Sequence, residues 1–223
     1  GKDYVKGFKD GLGDAAKRII ISEQSYEVTD PTIESQIVNL KNSGANVFFN
    51  VTIPKFAVQA IKKAADIGWK PVHILNSVSG SVEVVLKPAG VENSKGIITA
   101  SYLKDPTDPQ WRDDPGMKEY RAFMKKYYPE GNADDVFHVY ALSVARTLVH
   151  VLKQCGDDLT RANIMRQAAN IRNLELPLLL PGIKLNTSPT DFYPIEQMQM
   201  AKFDGERVML FGEVIDATEA ARR

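Results

Sequence analysis

The sequence predicts an α/β fold built on a parallel sheet, continued by a second, mainly helical part. Three observations carry this. In the first hundred residues, β-rich runs alternate with helical segments, the pattern of βαβ units whose sheet is covered on both faces. After Tyr102 the alternation stops and three helices follow one another. Near the end, Asp204-Gly205 stands between two strand-like runs, the strongest hairpin signal in the chain.

The elements follow in order. From Asp3 to Lys17, residues Val5, Phe8, Leu12 and Ala16 recur three or four apart, which puts them on one helical face. Arg18 to Gln24 contains Ile19-Ile20-Ile21, a β-branched run suited to a central strand. Asp30-Pro31 opens the second helix, with Asp30 as N-cap and Pro31 at the first helical position, where its missing N–H costs nothing. Ile33, Ile37 and Leu40 form its apolar stripe, and Gly44 ends it in a left-handed cap. Residues 46–51 make a strand, Pro54 to Ile67 a helix stopped by Gly68, and 71–76 a third strand. A short helix from about Ser81 to Lys87 and a strand over 96–100 complete this part. Right-handed crossovers place the helix starts at one edge of such a sheet, where ligands bind.

Lys104 to Gly116 is a loop rich in Asp and Pro, and the helices after it run from about Met117 to Tyr128, Asp135 to Cys155 and Thr160 to Ala169. The middle helix presents Val136, Val139, Tyr140, Ser143, Val144, Thr147 and Val151 on one wide face, which needs a sheet or other helices beneath it. Leu176 to Pro181 is an apolar loop, 182–186 a short strand, and Gln197 to Phe203 with Arg207 to Val214 the arms of the hairpin.

Composition excludes several function classes. Lys and Arg number 28 and Asp and Glu number 28, so the chain has no net charge to attract nucleic acid or an anionic membrane. Cys155 is the sole cysteine and reads as a core residue near a helix end, which leaves no disulfide and no cysteine zinc site. His73, His138 and His150 lack metal-ligand spacing, so neither a metal nor a cofactor is expected. Charged residues interrupt every stretch long enough to span a bilayer. There is no signal peptide, and Gly1-Lys2-Asp3-Tyr4 already reads as a helix start, so the expectation is that further sequence precedes it.

Enzyme signatures are weak. Gly11-Leu12-Gly13 is a fragment of a dinucleotide motif, but it ends a helix instead of following a strand. Asn76-Ser77-Val78-Ser79-Gly80 lacks the leading glycine of a nucleophile elbow, and no phosphate loop occurs. Asp113-Asp114 and Asp134-Asp135 lie beside helix starts, where capping explains them. Tyr127-Tyr128 and Phe192-Tyr193 read as packing residues, not as a stacking platform for bases.

Several segments, in order and spacing, resemble the leucine/isoleucine/valine-binding family of periplasmic receptors, the binding components of branched-chain amino acid ABC transporters. They are Gly1-Lys2-Asp3-Tyr4-Val5-Lys6-Gly7-Phe8, the unit from Asp30 through Gly44 into Val47-Phe48-Phe49, and Ala64-Ala65-Asp66-Ile67-Gly68. The Asp/Pro loop after Tyr102, Tyr140-Ala141-Leu142, and Leu180-Pro181-Gly182-Ile183 leading to Phe203-Asp204-Gly205 continue the match. The resemblance implies a type I periplasmic binding-protein fold, two Rossmann-like lobes with parallel sheets joined by crossover strands, with the N-terminal part of lobe 1 missing. Residues 1–100 would be lobe 2, 101–192 the returning part of lobe 1 with three helices and a strand, 193–217 the final crossover and hairpin of lobe 2, and 218–223 a tail.

The resemblance also implies a non-catalytic, extracytoplasmic receptor that closes by hinge motion on a small ligand and delivers it to permease subunits, a monomer when complete. Cleft residues in this family come from loops after the parallel strands. Here those loops hold Asn50, Thr52 and Ile53, then Asn76, Ser77 and Val78, with Tyr102 at the crossover also placed to face the cleft. Strand-end capping is the other reading of Asn50 and Asn76, while Thr52 and Ser77 are the better placed to meet ligand. Receptors for leucine-like ligands carry a carboxylate in the loop that corresponds to 76–78, whereas Asn76, Ser77 and Val78 stand there with no acid before Glu83. The expected ligand is a small carboxylate, an aromatic acid or an amino-acid-like one, and the missing acid points to one without an ammonium group. Two other readings stay open: a Rossmann-like or flavodoxin-like enzyme whose phosphate loop lies upstream, and the sensor domain of a receptor.

Overall fold

The computed structural model describes residues 1–217, so the tail expected at 218–223 lies outside the described residues. The described residues group into two units, 1–100 with 202–207 and 101–201 with 208 onward.

In the first unit, helix α1 (Lys2–Leu12) turns Phe8 onto Phe49, ring centroids 4.6 Å apart. The helix expected to reach Lys17 breaks at Gly13, whose φ of 54° is a conformation that favours glycine, and a short α2 (Ala16–Ile19) follows. The strand expected over Arg18 to Gln24 does not form. Ile20 to Gln24 run without ladder partners, and Ile19 and Ile21 are more than half exposed. A β-branched run becomes a strand only where a neighbouring edge receives its N–H and C=O groups, and none among the described residues does.

Helix α3 (Glu34–Asn42) begins four residues later than its Asp-Pro signal. Asp30 caps a turn instead, its Oδ2 accepting from the Glu27 N–H at 2.9 Å. The reason is local competition, since an Asp side chain can satisfy a nearby backbone donor outside a helix. Strand β1 (Val47–Asn50), helix α4 (Pro54–Asp66) and strand β2 (Val72–Leu75) fall where the sequence put them. A π turn at Val82–Leu86, capped by Ser81, runs into α5 (Lys87–Ala89), α6 (Val91–Ser94) and β3 (Ile98–Ser101). The β1–β2 and β2–β3 pairs are parallel, with Val47 opposite Val72 and Ile74 opposite Ile98. Phe203 exchanges backbone hydrogen bonds with Gly96 and Ile97 on the far side of β3. Ile33, Ile37, Phe48, Phe56, Ala60, Ala64 and Trp69 form the core between α3, α4 and the sheet. Each large side chain fully buried there contributes roughly 1.5–3 kcal/mol, more than any single hydrogen bond of the unit.

In the second unit, α7 (Pro115–Tyr127), α8 (Val136–Cys155) and α9 (Arg161–Ala168) are capped by Asp114, Asp135 and Thr160. The paired acids therefore do cap helices, and their neighbours Asp113 and Asp134 form ion pairs with Lys118 and Arg121. Met117, Tyr120 and Met124 of α7 pack against Val139, Val151 and Cys155 of α8 and against Leu178, Leu179 and Leu180 of the apolar loop. Tyr140 and Val144, expected inside, are 49% and 48% exposed because no described element packs on that part of α8. The strand expected at 182–186 is a single bridge between Leu185 and Leu174, since only one residue of that segment finds a pairing partner. The hairpin arms, β4 (Gln197–Phe203) and β5 (Val208–Asp216), are joined through 202–207, which belong to the first unit. Asp204 closes the turn: its N–H donates to the Arg207 carbonyl and its Oδ1 accepts from the N–H groups of Glu206 and Arg207. Gly205, at φ 111°, takes the strained position.

Candidate ligand-binding site

The parallel register of β1 and β2 brings the loops that follow them side by side. Asn50 ends β1 and its carbonyl accepts from the Asn76 N–H at 3.0 Å, which ties the second loop to the first. The Asn50 side chain is buried, with Nδ2 3.1 Å from His73 Nε2 and Oδ1 accepting from the Thr52 hydroxyl at 2.8 Å. Both ends of its carboxamide are thus engaged inside the protein, which makes Asn50 a strand-end cap under the loop. Thr52 is buried too, and its carbonyl accepts from Ser79 Oγ at 2.5 Å. Ile53, at the start of α4, is 42% exposed, and its N–H donates to the Tyr26 hydroxyl at 3.0 Å.

The second loop differs in kind. Asn76 is buried, yet its Oδ1 has no hydrogen-bond partner among the described residues. An orphaned buried acceptor costs about 1–3 kcal/mol, so Asn76 Oδ1 stands apart from the paired polar groups around it. Thr99 of β3 has a buried hydroxyl in the same condition. It sits against Gly80, where an added Cβ would lie 3.0 Å from Thr99 Oγ1, so the loop passes close to β3. Ser77 is partly buried and Val78 half exposed on the 3-10 turn 77–79. The next acid along the chain, Glu83, is held in an ion pair by Lys87.

The structure therefore brings together Asn50, Thr52, Ile53, Asn76, Ser77 and Val78. Tyr102 belongs to the second unit, partly buried against its core, where its carbonyl accepts from the Leu180 N–H at 2.9 Å. Sequence reading missed Ser79, Thr99 and His73. Ser79 and Thr99 carried no signal beyond being small polar residues in apolar surroundings, and His73 needed a partner 23 residues away. Among the described residues no group of three or more His, Cys, Asp or Glu side chains is set to hold a metal ion. No helix among them is long and apolar enough to cross a membrane.

Compared by sequence, no curated protein matches the chain. Solved structures do. A fatty acid ABC transporter substrate-binding protein from Thermomonospora curvata superposes with a TM-score of 0.73 at 20% identity, covering 100% of this chain and 56% of that one. A possible leucine/isoleucine/valine-binding protein from Rhodopirellula baltica gives 0.71 at 17%, covering 91% and 55%. A branched-chain amino acid ABC transporter protein from Thermus thermophilus with bound valine gives 0.69 at 16%, covering 86% and 52%. The chain thus spans about half the length of these solved relatives, and at such identities the likeness shows the fold, that of type I periplasmic binding proteins. A family model described as periplasmic binding protein matches residues 1–207. On that match across nearly its whole length, the chain belongs to the periplasmic binding protein family.

Proposed function

We propose that the complete protein is the extracytoplasmic solute-binding component of an ABC importer, acting without covalent chemistry. It takes a small carboxylate, aromatic or otherwise lacking an ammonium group, into a cleft between two lobes and closes on it by hinge motion. Permease subunits are its partners, and it works as a monomer. The family match over residues 1–207 carries the receptor reading.

The loop after β2 supports the choice of ligand. A buried ammonium needs a carboxylate partner, because an unpaired cation loses its hydration without compensation. Asn76, Ser77 and Val78 offer none, and Glu83 is already neutralised by Lys87. The unpartnered Asn76 Oδ1 suits a neutral donor such as a hydroxyl or amide N–H. Isothermal titration calorimetry on the full-length protein with 4-hydroxybenzoate, which carries a carboxylate and a hydroxyl donor but no ammonium, and with leucine tests this. Tight binding of leucine alone would overturn the ligand assignment, and a bound nucleotide or a turnover product would favour an enzyme instead.

A further inference from the structure

His73 lies on β2, outside the loops that follow the strands, yet its ring is tied to one of them. Its Nε2 lies 3.1 Å from Asn50 Nδ2; in the Nδ1–H tautomer Nε2 accepts that N–H. That fixes the carboxamide with Oδ1 toward Thr52, whose hydroxyl donates to it. The proton of that hydroxyl is then committed, and lone pairs are what Thr52 has left to offer. We infer that His73 is a positioning residue: it sets the direction of the chain from Thr52 to Asn50 to His73, and so makes Thr52 an acceptor toward ligand. The ligand atom set against Thr52 is accordingly a donor, O–H or N–H, and not a carboxylate oxygen. The inference rests on the reading that the loops at 50–53 and 76–78 face the ligand.

The surroundings keep this direction fixed. On the β1 side His73 meets the Phe48 ring at 4.6 Å and Asn50. The register of Ile74 with Ile98 sets Ile97, the residue before β3, beside it. The core around Phe48 is closed by Phe56, Ala60 and Ala64 of α4 and Ile33 and Ile37 from the α3 segment. None of these groups titrates. Burial without any charged neighbour holds the imidazole down at about 4, so it is neutral at physiological pH. An imidazolium has two N–H groups and no acceptor. Taking a proton from solvent would turn the Asn50 carboxamide over, make its Nδ2 the donor to Thr52, and release the Thr52 proton.

Nitrogen-15 NMR of the imidazole in the full-length protein reads the direction without any ligand. The expected result is the Nδ1–H tautomer, unprotonated throughout the neutral range; an Nε2–H tautomer there overturns the inference. Two variants supply a second measurement. His73→Gln keeps an acceptor for Asn50, while His73→Leu removes it. Amide exchange at Thr52 and Ile53 should quicken about tenfold in His73→Leu, the worth of one buried hydrogen bond, and return close to wild type in His73→Gln. A histidine that only fills space would leave both variants equally altered. In titrations with 4-hydroxybenzoate or leucine, both of which carry a donor, whichever the wild type binds, equal affinity of His73→Leu and wild type also overturns it. If the wild type binds neither, the ligand reading fails, and the tautomer and exchange results still decide the inference.

Discussion

Burial moves His73 from its ordinary 6.5 down to about 4, because the imidazolium would lose hydration and gain no charged partner. The native state therefore binds fewer protons than the unfolded chain between those two values. Its contribution is fully present above about pH 6.5 and is lost as pH falls toward 4, by up to about 3 kcal/mol. Urea denaturation of wild type and His73→Leu at neutral and acidic pH should show the gap between them closing on that side. Lys104 shows the opposite economy. Its ammonium is almost fully buried, pairs with Asp114 at 2.7 Å, donates to the Pro177 carbonyl at 2.8 Å and lies over the Trp111 ring. Burial pushes the Asp114 carboxyl up, but the Lys104 hydrogen bond and the Met117 N–H outweigh it and hold the group below its usual value. Lys104→Met would strand that carboxylate and should cost about 2–4 kcal/mol in urea unfolding, somewhat less than a fully enclosed pair because Asp114 keeps some contact with water.

At the scale of elements, close approach decides more than propensity. Gly116 stands in the first turn of α7 where an added Cβ would lie 2.6 Å from both the Pro177 carbonyl oxygen and its Cβ. Backbone cannot step aside cheaply, so Gly116→Ala should destabilise the protein by about 1–3 kcal/mol in a thermal melt. What sequence revealed here follows from range. Gly44, Gly68 and the Pro54 start were legible because caps act within a turn or two, and φ values of 81° and 67° at the two glycines bear this out. The Ile19 to Ile21 run was misread because a strand is made by its neighbour as much as by its own residues. The loop residues of the candidate site were legible as strand ends. The bonds from Asn50 to His73 and from Thr52 to Ser79 were not, since they join residues 23 and 27 positions apart.

For the molecule as a whole, the uncovered side of α8 governs how the chain behaves in isolation. Tyr140, Val144 and Leu148 form a stripe at helical spacing with about half of each side chain in water. Residues 1–217 expressed alone should therefore self-associate, which light scattering behind a sizing column would detect, and Val144→Lys should shift the population toward monomer. The same residues should bind 4-hydroxybenzoate weakly or not at all, and tight binding in calorimetry would show that residues 1–217 suffice for a complete site. The chain passes between its two units at 100/101, 201/202 and 207/208. During translation the first hundred residues leave the ribosome well before Phe203 is made, and at ordinary elongation rates that delay is roughly 5–20 s. Through that interval the outer edge of β3 at Ile97 waits unpaired, a period in which a nascent chain is open to chaperones or to pairing with the wrong strand.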